Sequence, residues 1–170
     1  NDNTFDLTIS GNEAGSTVVY EVSTNGGITW TNTTANQTTL ADGTYSFRAT
    51  VTDSAGISAT TPVQSVTIDT TPPTAGTISL SNFTDSGSNT TDNISNDNTF
   101  DLTISGNEAG STVVYEVSTN GGITWTNTTA NQTTLADGTY SFRATVTDSA
   151  GISATTPVQS VTIDTTPPTA

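Results

Sequence analysis

Carboxylates are the side chains of this sequence with the most evident capacity for chemistry. Its 170 residues include 16 Asp and Glu but only two basic residues, Arg48 and Arg143, and the formal net charge is −14. Lysine, histidine and cysteine are absent. Reactions that depend on an imidazole or a thiolate are therefore excluded, whereas carboxylate oxygens can still hold a hard cation such as Ca²⁺.

The same composition excludes several kinds of partner. Nucleic acids and anionic membrane surfaces are bound through clustered Lys and Arg, which two arginines cannot provide. A Cys/His zinc site and a disulfide framework are equally impossible. No apolar run approaches the roughly 18–20 residues of a membrane-spanning helix. We expect no nucleic-acid partner, no direct membrane contact and no small-molecule substrate.

An internal repeat sets the organisation of the chain. Residues 1–75 recur unchanged as residues 96–170, with a period of 95 residues. This period is too long for a solenoid unit and suits a small β-sandwich. We predict an incomplete domain over 1–71 that lacks its first strand, a complete domain over 72–166, and the start of a further linker over 167–170. Each repeat would have identical repeats as its neighbours, which suits a monomeric rod.

Strand signals fill the complete unit. Threonine, a strand former, accounts for 42 residues, and apolar residues alternate with polar ones in short runs. The pattern predicts an all-β fold of tandem Ig-like antiparallel sandwiches with Greek-key topology. The seven predicted strands are marked by Ile78 and Leu80; Phe100, Leu102 and Ile104; Val113, Tyr115 and Val117; Ile123 and Trp125; Leu135; Tyr140, Phe142, Ala144 and Val146; and Val161 and Ile163.

Two local motifs support this fold. Tyr140 stands at the start of a predicted strand, just after a corner, as in the tyrosine corner of Ig-like sandwiches. The segment from Ser118 to Trp125 contains Asn120-Gly121-Gly122, a strong hairpin signal. It resembles the Asp-box hairpin of sialidase-like propellers, with Asn120 in the Asp position. One copy per 95 residues is too sparse for propeller blades, so we interpret it as a stabilised turn.

Strand direction brings three carboxylates towards one place. In a seven-stranded Ig-like order, the loop around Glu108 and the turn that begins at Asp148 lie at the end that meets the preceding linker, which contains Asp69. No basic residue lies nearby in sequence. Like charges gathered at a junction repel unless a cation lies between them, and carboxylate and carbonyl oxygens suit Ca²⁺. We therefore predict an inter-domain Ca²⁺ site formed by Asp69, Glu108 and Asp148.

The repeat also places equivalents of these residues at Glu13, Asp53 and Asp164. Glu13 and Asp53 would lack a preceding linker, and Asp164 a following domain. An ordinary alternative stays open for all six residues, because Asp before Ser or Gly forms turns readily and a loop Glu needs no special explanation.

A second acidic cluster is expected in the loop that follows the first strand. Asp85, Asp92 and Asp97 lie there among Ser, Asn and Gly residues. This composition could wrap a cation, but it lacks EF-hand spacing and equally describes a plain flexible loop.

Other functions find less support. Threonine arrays that bind ice need a flat solenoid with a short repeat, which this period does not give. Catalysis by paired carboxylates needs an acid and a base around a pocket, and no segment provides them, so we expect no enzyme. The alternative function is that of a ligand-binding adhesion domain, which recognises a glycan or a protein. Such a domain would need exposed aromatic residues, whereas alternation assigns most of the Trp and Tyr residues to the core.

Several motifs in this order resemble bacterial Ig-like repeats of giant repetitive adhesins, including RTX-type biofilm adhesins exported by type I secretion. The motifs are Asn96–Thr99, Gly106–Val113, Leu135–Tyr140, Ala144–Gly151 and Asp164–Pro168. The resemblance implies an extracellular stalk on a bacterial surface, in which Ca²⁺ at the domain junctions stiffens tandem sandwiches. It carries over to Asp69, Glu108 and Asp148, and the predicted function is a structural extender module.

Overall fold

A computed structural model describes residues 1–169, and it divides the chain into two compact units. Unit 1 comprises residues 1–71, and unit 2 begins at residue 72. All regular structure in the described residues is β. The predicted further linker, 167–170, ends on Ala170, which lies outside the described residues.

Unit 1 contains seven short strands in two sheets. They are β1 (Phe5–Asp6), β2 (Thr17–Ser23), β3 (Thr31–Thr33), β4 (Asn36–Gln37), β5 (Gly43–Thr52), β6 (Ser58–Thr60) and β7 (Gln64–Ile68). One sheet is the antiparallel pair β1–β4. The other has the order β3-β2-β5, and β6 and β7 pair in succession with the free side of β5.

Unit 2 contains nine strands. They are β8 (Thr77–Ser81), β9 (Ile94–Ser95), β10 (Phe100–Ser105), β11 (Thr112–Ser118), β12 (Thr126–Thr128), β13 (Asn131–Gln132), β14 (Gly138–Thr147), β15 (Ser153–Thr155) and β16 (Gln159–Ile163). A sheet of order β13-β10-β8 faces a sheet of order β12-β11-β14-β16-β9, with β15 also paired to β14. The predicted all-β, Ig-like sandwich is confirmed.

Some predicted strand positions are wrong. Ile123 and Trp125 lie in the turn before β12, because the Gly121-Gly122 pair carries the chain through positive φ before pairing resumes at Thr126. Leu135 lies outside any strand, and the strand there is β13, three residues earlier. Leu135 instead packs against the core from a loop. The apolar side chain of Leu135 marks burial without strand pairing, whereas that of Ile123 marks neither, since Ile123 is 82% exposed.

The sandwich is also not purely antiparallel. The predicted final strand, marked by Val161 and Ile163, is β16, and the short strand β15 before it was not predicted; the two strands pair with successive parts of β14. The short strand β9, not predicted, pairs in parallel with β16. It lies in the acidic loop that connects the first two predicted strands.

The core of unit 2 forms between the two sheets from the alternating apolar residues. Its buried members include Ile78 on β8, Phe100 and Leu102 on β10, and Phe142 on β14. Phe100 meets Phe142 edge-to-face at a ring separation of 5.8 Å. Such pairs add stability beyond the area they bury. Because these residues come from three strands far apart in sequence, the core fixes the sandwich and the loops at its ends.

Candidate cation site at one end of the unit

Strand register places Glu108 and Asp148 at the same end of unit 2. Thr112, the first residue of β11, pairs with Thr147, the last residue of β14. The loop that contains Glu108 therefore leads into β11 beside the turn that begins at Asp148. Unit 1 has the same arrangement, since Thr17 pairs with Thr52 and the equivalents Glu13 and Asp53 line one depression of about 420 Å³.

Asp148 is the most distinctive carboxylate at this end. Its Oδ1 accepts hydrogen bonds from the backbone N–H groups of Ala150 (2.8 Å) and Ile152 (2.9 Å), which closes the turn. Its Oδ2 is buried and has no hydrogen-bond partner in the protein, and the residue is only 8% exposed. A buried carboxylate oxygen without a donor is costly, and a bound cation would satisfy it.

Asp53 makes the same turn in unit 1 without the same burial. Its Oδ1 accepts from Ala55 and Ile57, at 2.9 and 2.8 Å. The residue is half-buried. The orphaned oxygen is therefore a property of the surroundings of Asp148, since the sequence around the two residues is identical.

Glu108 contributes an exposed side chain and a well-held backbone. Its N–H donates to the carbonyl of Thr74 (3.0 Å), and its carbonyl accepts from the Ser111 hydroxyl (2.7 Å). The carboxylate is free to turn towards a cation, whereas the loop that carries it is fixed.

Asp69 and its equivalent Asp164 follow the last strand of their units. Asp69 Oδ1 accepts from the N–H of Thr71, and Asp164 Oδ1 from that of Thr166, both at 3.1 Å. In each case one carboxylate oxygen holds a local turn. The grouping of Asp69 with Glu108 and Asp148 stays a prediction.

The acidic loop of unit 2, residues 84–97, uses its carboxylates mainly as turn acceptors. Asp85 Oδ2 accepts from the N–H of Asn93 (2.9 Å), Asp92 Oδ1 from that of Ile94 (3.1 Å), and Asp97 from that of Thr84 (2.8 Å). Asp85 Oδ1 is buried without a partner. Within either unit, over residues 1–169, no three acidic side chains form a ready-made metal cluster. A cation here would need carbonyl or water ligands as well, and the second site also stays a prediction.

Both arginines are engaged away from these loops. Arg143 Nε lies 2.9 Å from Glu116 Oε2, and the Arg143 guanidinium lies 4.3 Å from the centre of the Trp125 ring. The Arg143 hydrogen bond lowers the pKa of Glu116 below its ordinary value. Arg48, Glu21 and Trp30 repeat the arrangement in unit 1. Neither basic side chain is therefore available to the loop carboxylates.

The same contacts correct the expected place of the tryptophans. Arg143 alternates with the buried Phe142 and Ala144 on β14, so it lies on the outer face of the sheet. Trp125 stacks against it there and donates its ring N–H to the carbonyl of Gly122 (3.0 Å). Trp125 is half-buried under a guanidinium and is not part of the core.

The hairpin of Ser118–Trp125 is a stabilised turn, as predicted. Asn120 Oδ1 accepts from the Ser118 hydroxyl (2.8 Å) and the Thr124 N–H (3.0 Å). The tyrosine corner is also present, since the Tyr140 hydroxyl donates to the carbonyl of Ala136 at 3.0 Å. These hydrogen bonds fix the corners of the sandwich.

A carboxylate that sequence reasoning did not select holds the linker at the end of unit 1. Asp42 Oδ1 accepts from both the N–H (2.8 Å) and the hydroxyl (2.7 Å) of Thr70, and Oδ2 from the Thr71 hydroxyl (2.6 Å). The hydroxyl of Thr71 and then that of Thr70 lower the pKa of Asp42 below its ordinary value. Asp137 holds Thr165 and Thr166 in the same way. The sequence signal is the Ala-Asp-Gly that recurs before a strand in both units, a pattern that by itself predicts only a corner.

The first residues of unit 2 hold the other side of the linker. Thr74 accepts the hydrogen bond from Glu108, and Gly76 adopts φ +72° with its backbone against Ser105 and Asn107. A Cβ at Gly76 would collide with the carbonyl of Ser105 and the N–H of Asn107, so only glycine fits there. Between the anchored Thr71 and Thr74 the chain has only Pro72 and Pro73.

Two packed β-sheets, a tyrosine corner and loops gathered at the ends define an Ig-like sandwich module. The family model described as "Bacterial Ig-like domain" matches residues 1–70 and again 72–165. The chain therefore belongs to the bacterial Ig-like domain family, as two tandem modules.

Several solved structures resemble the chain. The fibronectin(III)-like modules of Clostridium thermocellum CbhA are similar over 89% of this chain and 80% of that chain, with 16% identity and a TM-score of 0.37. No curated protein matches the chain. No helix among residues 1–169 is long and apolar enough to cross a bilayer.

Proposed function

We propose that this chain is a structural extender module of a repetitive adhesin on a bacterial cell surface, and that Ca²⁺ at the junctions between its domains stiffens it. Its role is mechanical rather than catalytic: it holds a distal binding domain away from the cell. The family and the unchanged tandem copies support this proposal, because identical neighbours suit a spacer. The extracellular location, the RTX type and export by type I secretion follow from the resemblance to giant adhesins.

The observation that carries the proposal is the linker. Asp42 fixes Thr70 and Thr71 on unit 1, whereas Thr74 is fixed on unit 2. The two residues between them are prolines, whose φ angles are locked near −65°. Proline also restricts the residue before it to extended conformations. A connection with so few free torsions resists bending, which is what a stalk requires.

The unpaired charge supports a cation at the junction. Asp148 Oδ2 lacks a donor, Glu108 is exposed at the same end, and both arginines are engaged elsewhere. Asp69, Glu108 and Asp148 would hold Ca²⁺ together with backbone carbonyls or water, and Glu13, Asp53 and Asp164 would do so in neighbouring junctions. Bound Ca²⁺ would supply the counter-charge that the sequence lacks. Affinities of extracellular modules are about 10⁻⁴–10⁻³ M.

Spin-label distance measurements test the proposal directly. Because the chain has no cysteine, Thr24→Cys and Thr119→Cys place one label at the same exposed turn of each unit. We expect a narrow distance distribution with Ca²⁺ and a broader one in EDTA, while both units stay folded. Equal widths in the two conditions would contradict the role of Ca²⁺.

Two substitutions separate the two sources of stiffness. Asp148→Asn should remove the Ca²⁺ response, whereas its repeat equivalent Asp53→Asn should leave it. Asp42→Ala should broaden the distribution with or without Ca²⁺, because it releases Thr70 and Thr71. Asp137→Ala makes the same local change after unit 2 and serves as the control. If Asp42→Ala had no effect, the anchored linker would not be the source of stiffness.

A further inference from the structure

The chain enters and leaves unit 2 at opposite ends of its strands. At the entrance, the carbonyl of Thr74 accepts from the N–H of Glu108, in the loop that leads into β11. At the exit, Ile163 pairs with Gly138, the first residue of β14, whereas the last residue of β14, Thr147, lies at the entrance end. The ten residues of β14 separate the two ends by about 30 Å. Tension applied through the two linkers therefore acts along the strands.

Strands β9 and β16 meet in a geometry that resists such tension. They pair in parallel. The N–H of Thr162 donates to the carbonyl of Asn93 (2.8 Å), and that of Asp164 to the carbonyl of Ser95 (2.9 Å). Because β9 is connected backwards along the chain to the entrance and β16 forwards to the exit, tension slides the two strands past each other. Both hydrogen bonds must then stretch together rather than break one after the other.

Ser95 ties β9 to the beginning of the acidic loop. It is 2% exposed, and its Oγ donates to the carbonyl of Thr84 (2.6 Å) and accepts from the N–H of Asp97 (3.0 Å). Ser86 donates its N–H to the same Oγ (3.3 Å), and its own hydroxyl oxygen accepts from the N–H of Asn96 (3.0 Å). These hydrogen bonds join the two ends of the loop directly. Tension from the entrance therefore reaches β9 without first straightening the residues between them.

We propose that the acidic loop, residues 84–97, is a mechanical latch that holds the first and last strands of unit 2 together and limits the rate at which the unit unfolds under tension. This function rests on the proposed extender role, since a stalk between a cell and a distant ligand transmits tension. The latch does not require Ca²⁺, because its hydrogen bonds join groups of the protein itself.

Unfolding at constant force tests the latch on the 170-residue chain. Handles joined before Asn1 and after Ala170 load both units, and unit 2 is recognised by the longer segment that it releases, since its strands span 77–163 and those of unit 1 span 5–68. Ser95→Ala should raise the unfolding rate of unit 2 at least about tenfold, because it leaves a carbonyl and two N–H groups without their partner. The rise should be the same in Ca²⁺ and in EDTA.

Ser118→Ala is the matched control. Ser118 is also 2% exposed, and its Oγ donates to Asn120 Oδ1 (2.8 Å) and accepts from the N–H of Gly122 (2.9 Å). It lies beside β12, at the opposite edge of the larger sheet from β9. This variant should lose stability in urea as Ser95→Ala does, but its unfolding rate under force should change less than about threefold, because contacts that persist in the transition state act on the folding rate. Equal rises in the two variants would overturn the proposal.

Ser86→Ala provides a milder change, which carries the test if Ser95→Ala does not fold. It frees the N–H of Asn96 and should raise the unfolding rate under force about threefold. An unchanged rate would overturn the latch, and the extender proposal would stand if the spin-label distances still narrowed with Ca²⁺. A raised rate with distances that ignore Ca²⁺ would support the latch and reject the role of Ca²⁺ in stiffness.

Discussion

Unit 1 and unit 2 contain the same residues in different surroundings. Phe100 and Leu102 are 1% and 2% exposed, whereas their equivalents Phe5 and Leu7 are only half-buried. Val146 is fully buried, and its equivalent Val51 is half-buried. Strand β10 spans six residues, and its counterpart β1 spans two. The same sequence is therefore buried to different extents and forms strands of different lengths in the two units, according to whether a neighbouring strand completes the sheet.

The features that do not differ are equally informative. The tyrosine-corner hydrogen bond measures 2.9 Å in unit 1 and 3.0 Å in unit 2, and the Arg–Glu ion pair measures 2.9 Å in both. These contacts join residues within the sheet or corner that both units possess in full. Local turns and the larger sheet are thus independent of β8, whereas the smaller sheet and the core depend on it.

The largest expected difference between the units is in the core. Leu102→Ala should lower the free energy of unfolding of unit 2 by about 2–5 kcal/mol, because it opens a cavity in a closed core. Leu7→Ala should cost unit 1 only about 1–2 kcal/mol, because part of that side chain is already in water. Urea unfolding measures each unit separately in the single-tryptophan backgrounds: Trp125→Phe leaves Trp30 as the fluorescent reporter of unit 1, and Trp30→Phe leaves Trp125 as that of unit 2. Equal losses would mean that β8 does not control burial.

Calcium should produce the next largest difference. At a Ca²⁺ concentration about 100-fold above Kd, each independent site adds about 2.7 kcal/mol to the free energy of unfolding. We expect unit 2 to lose this increment in EDTA. Asp148→Asn should abolish the increment, and Asp53→Asn should preserve it in unit 2. A Ca²⁺ response that survives Asp148→Asn would exclude Asp148 as a ligand.

A smaller and equal effect is expected at the tyrosine corner. Tyr140→Phe and Tyr45→Phe each remove one hydrogen bond to a backbone carbonyl and should cost about 0.5–1.5 kcal/mol in their own unit. The same urea unfolding experiments measure both. Because the corner is the same in the two units, a loss more than twice as large in one of them would show that β8 also supports the corner.

The smallest effect concerns pH. Threonine donors lower the pKa of Asp42 and Asp137 in the folded state below the ordinary value of 3.8. Their contribution is therefore present above the unfolded pKa and is lost as pH falls through the folded pKa, below about pH 4. Amide chemical shifts of Thr70 and Thr165 should move together in that range. Asp137→Asn should remove the step at Thr165 only, and a step that persisted would assign the titration to another group.

The alternation of apolar residues was sufficient to predict the Ig-like sandwich, because a half-buried strand must place every second side chain in the core. It could not place strands of low apolar content such as β9 and β13. Only backbone pairing with distant residues defines those strands. For the same reason, Leu135 was assigned to a strand although it reaches the core from a loop.

The candidate site was predicted in part. Strand direction placed Glu108 and Asp148 at one end, and the register confirms that placement. The role of Asp42 was not predicted, since its partners Thr70 and Thr71 lie 28 and 29 residues away. Nothing in the sequence near Asp42 indicates that its carboxylate accepts hydrogen bonds from a distant pair of threonines. The placement of Glu108 and Asp148 could be predicted because a loop that connects two strands can lie only at one of the two ends of the sandwich.

The sequence by itself determined the all-β class, the repeat, the turns and the excess of negative charge, because these depend on residue type and local spacing. The tertiary structure decided which copies of identical residues are buried, which carboxylate oxygen lacks a partner, and which threonines hold the linker. Burial and hydrogen bonding between distant residues depend on the neighbours that the fold supplies. Asp53 and Asp148 show this most directly, since one sequence leaves a half-buried turn residue in unit 1 and a buried, unpaired carboxylate oxygen in unit 2.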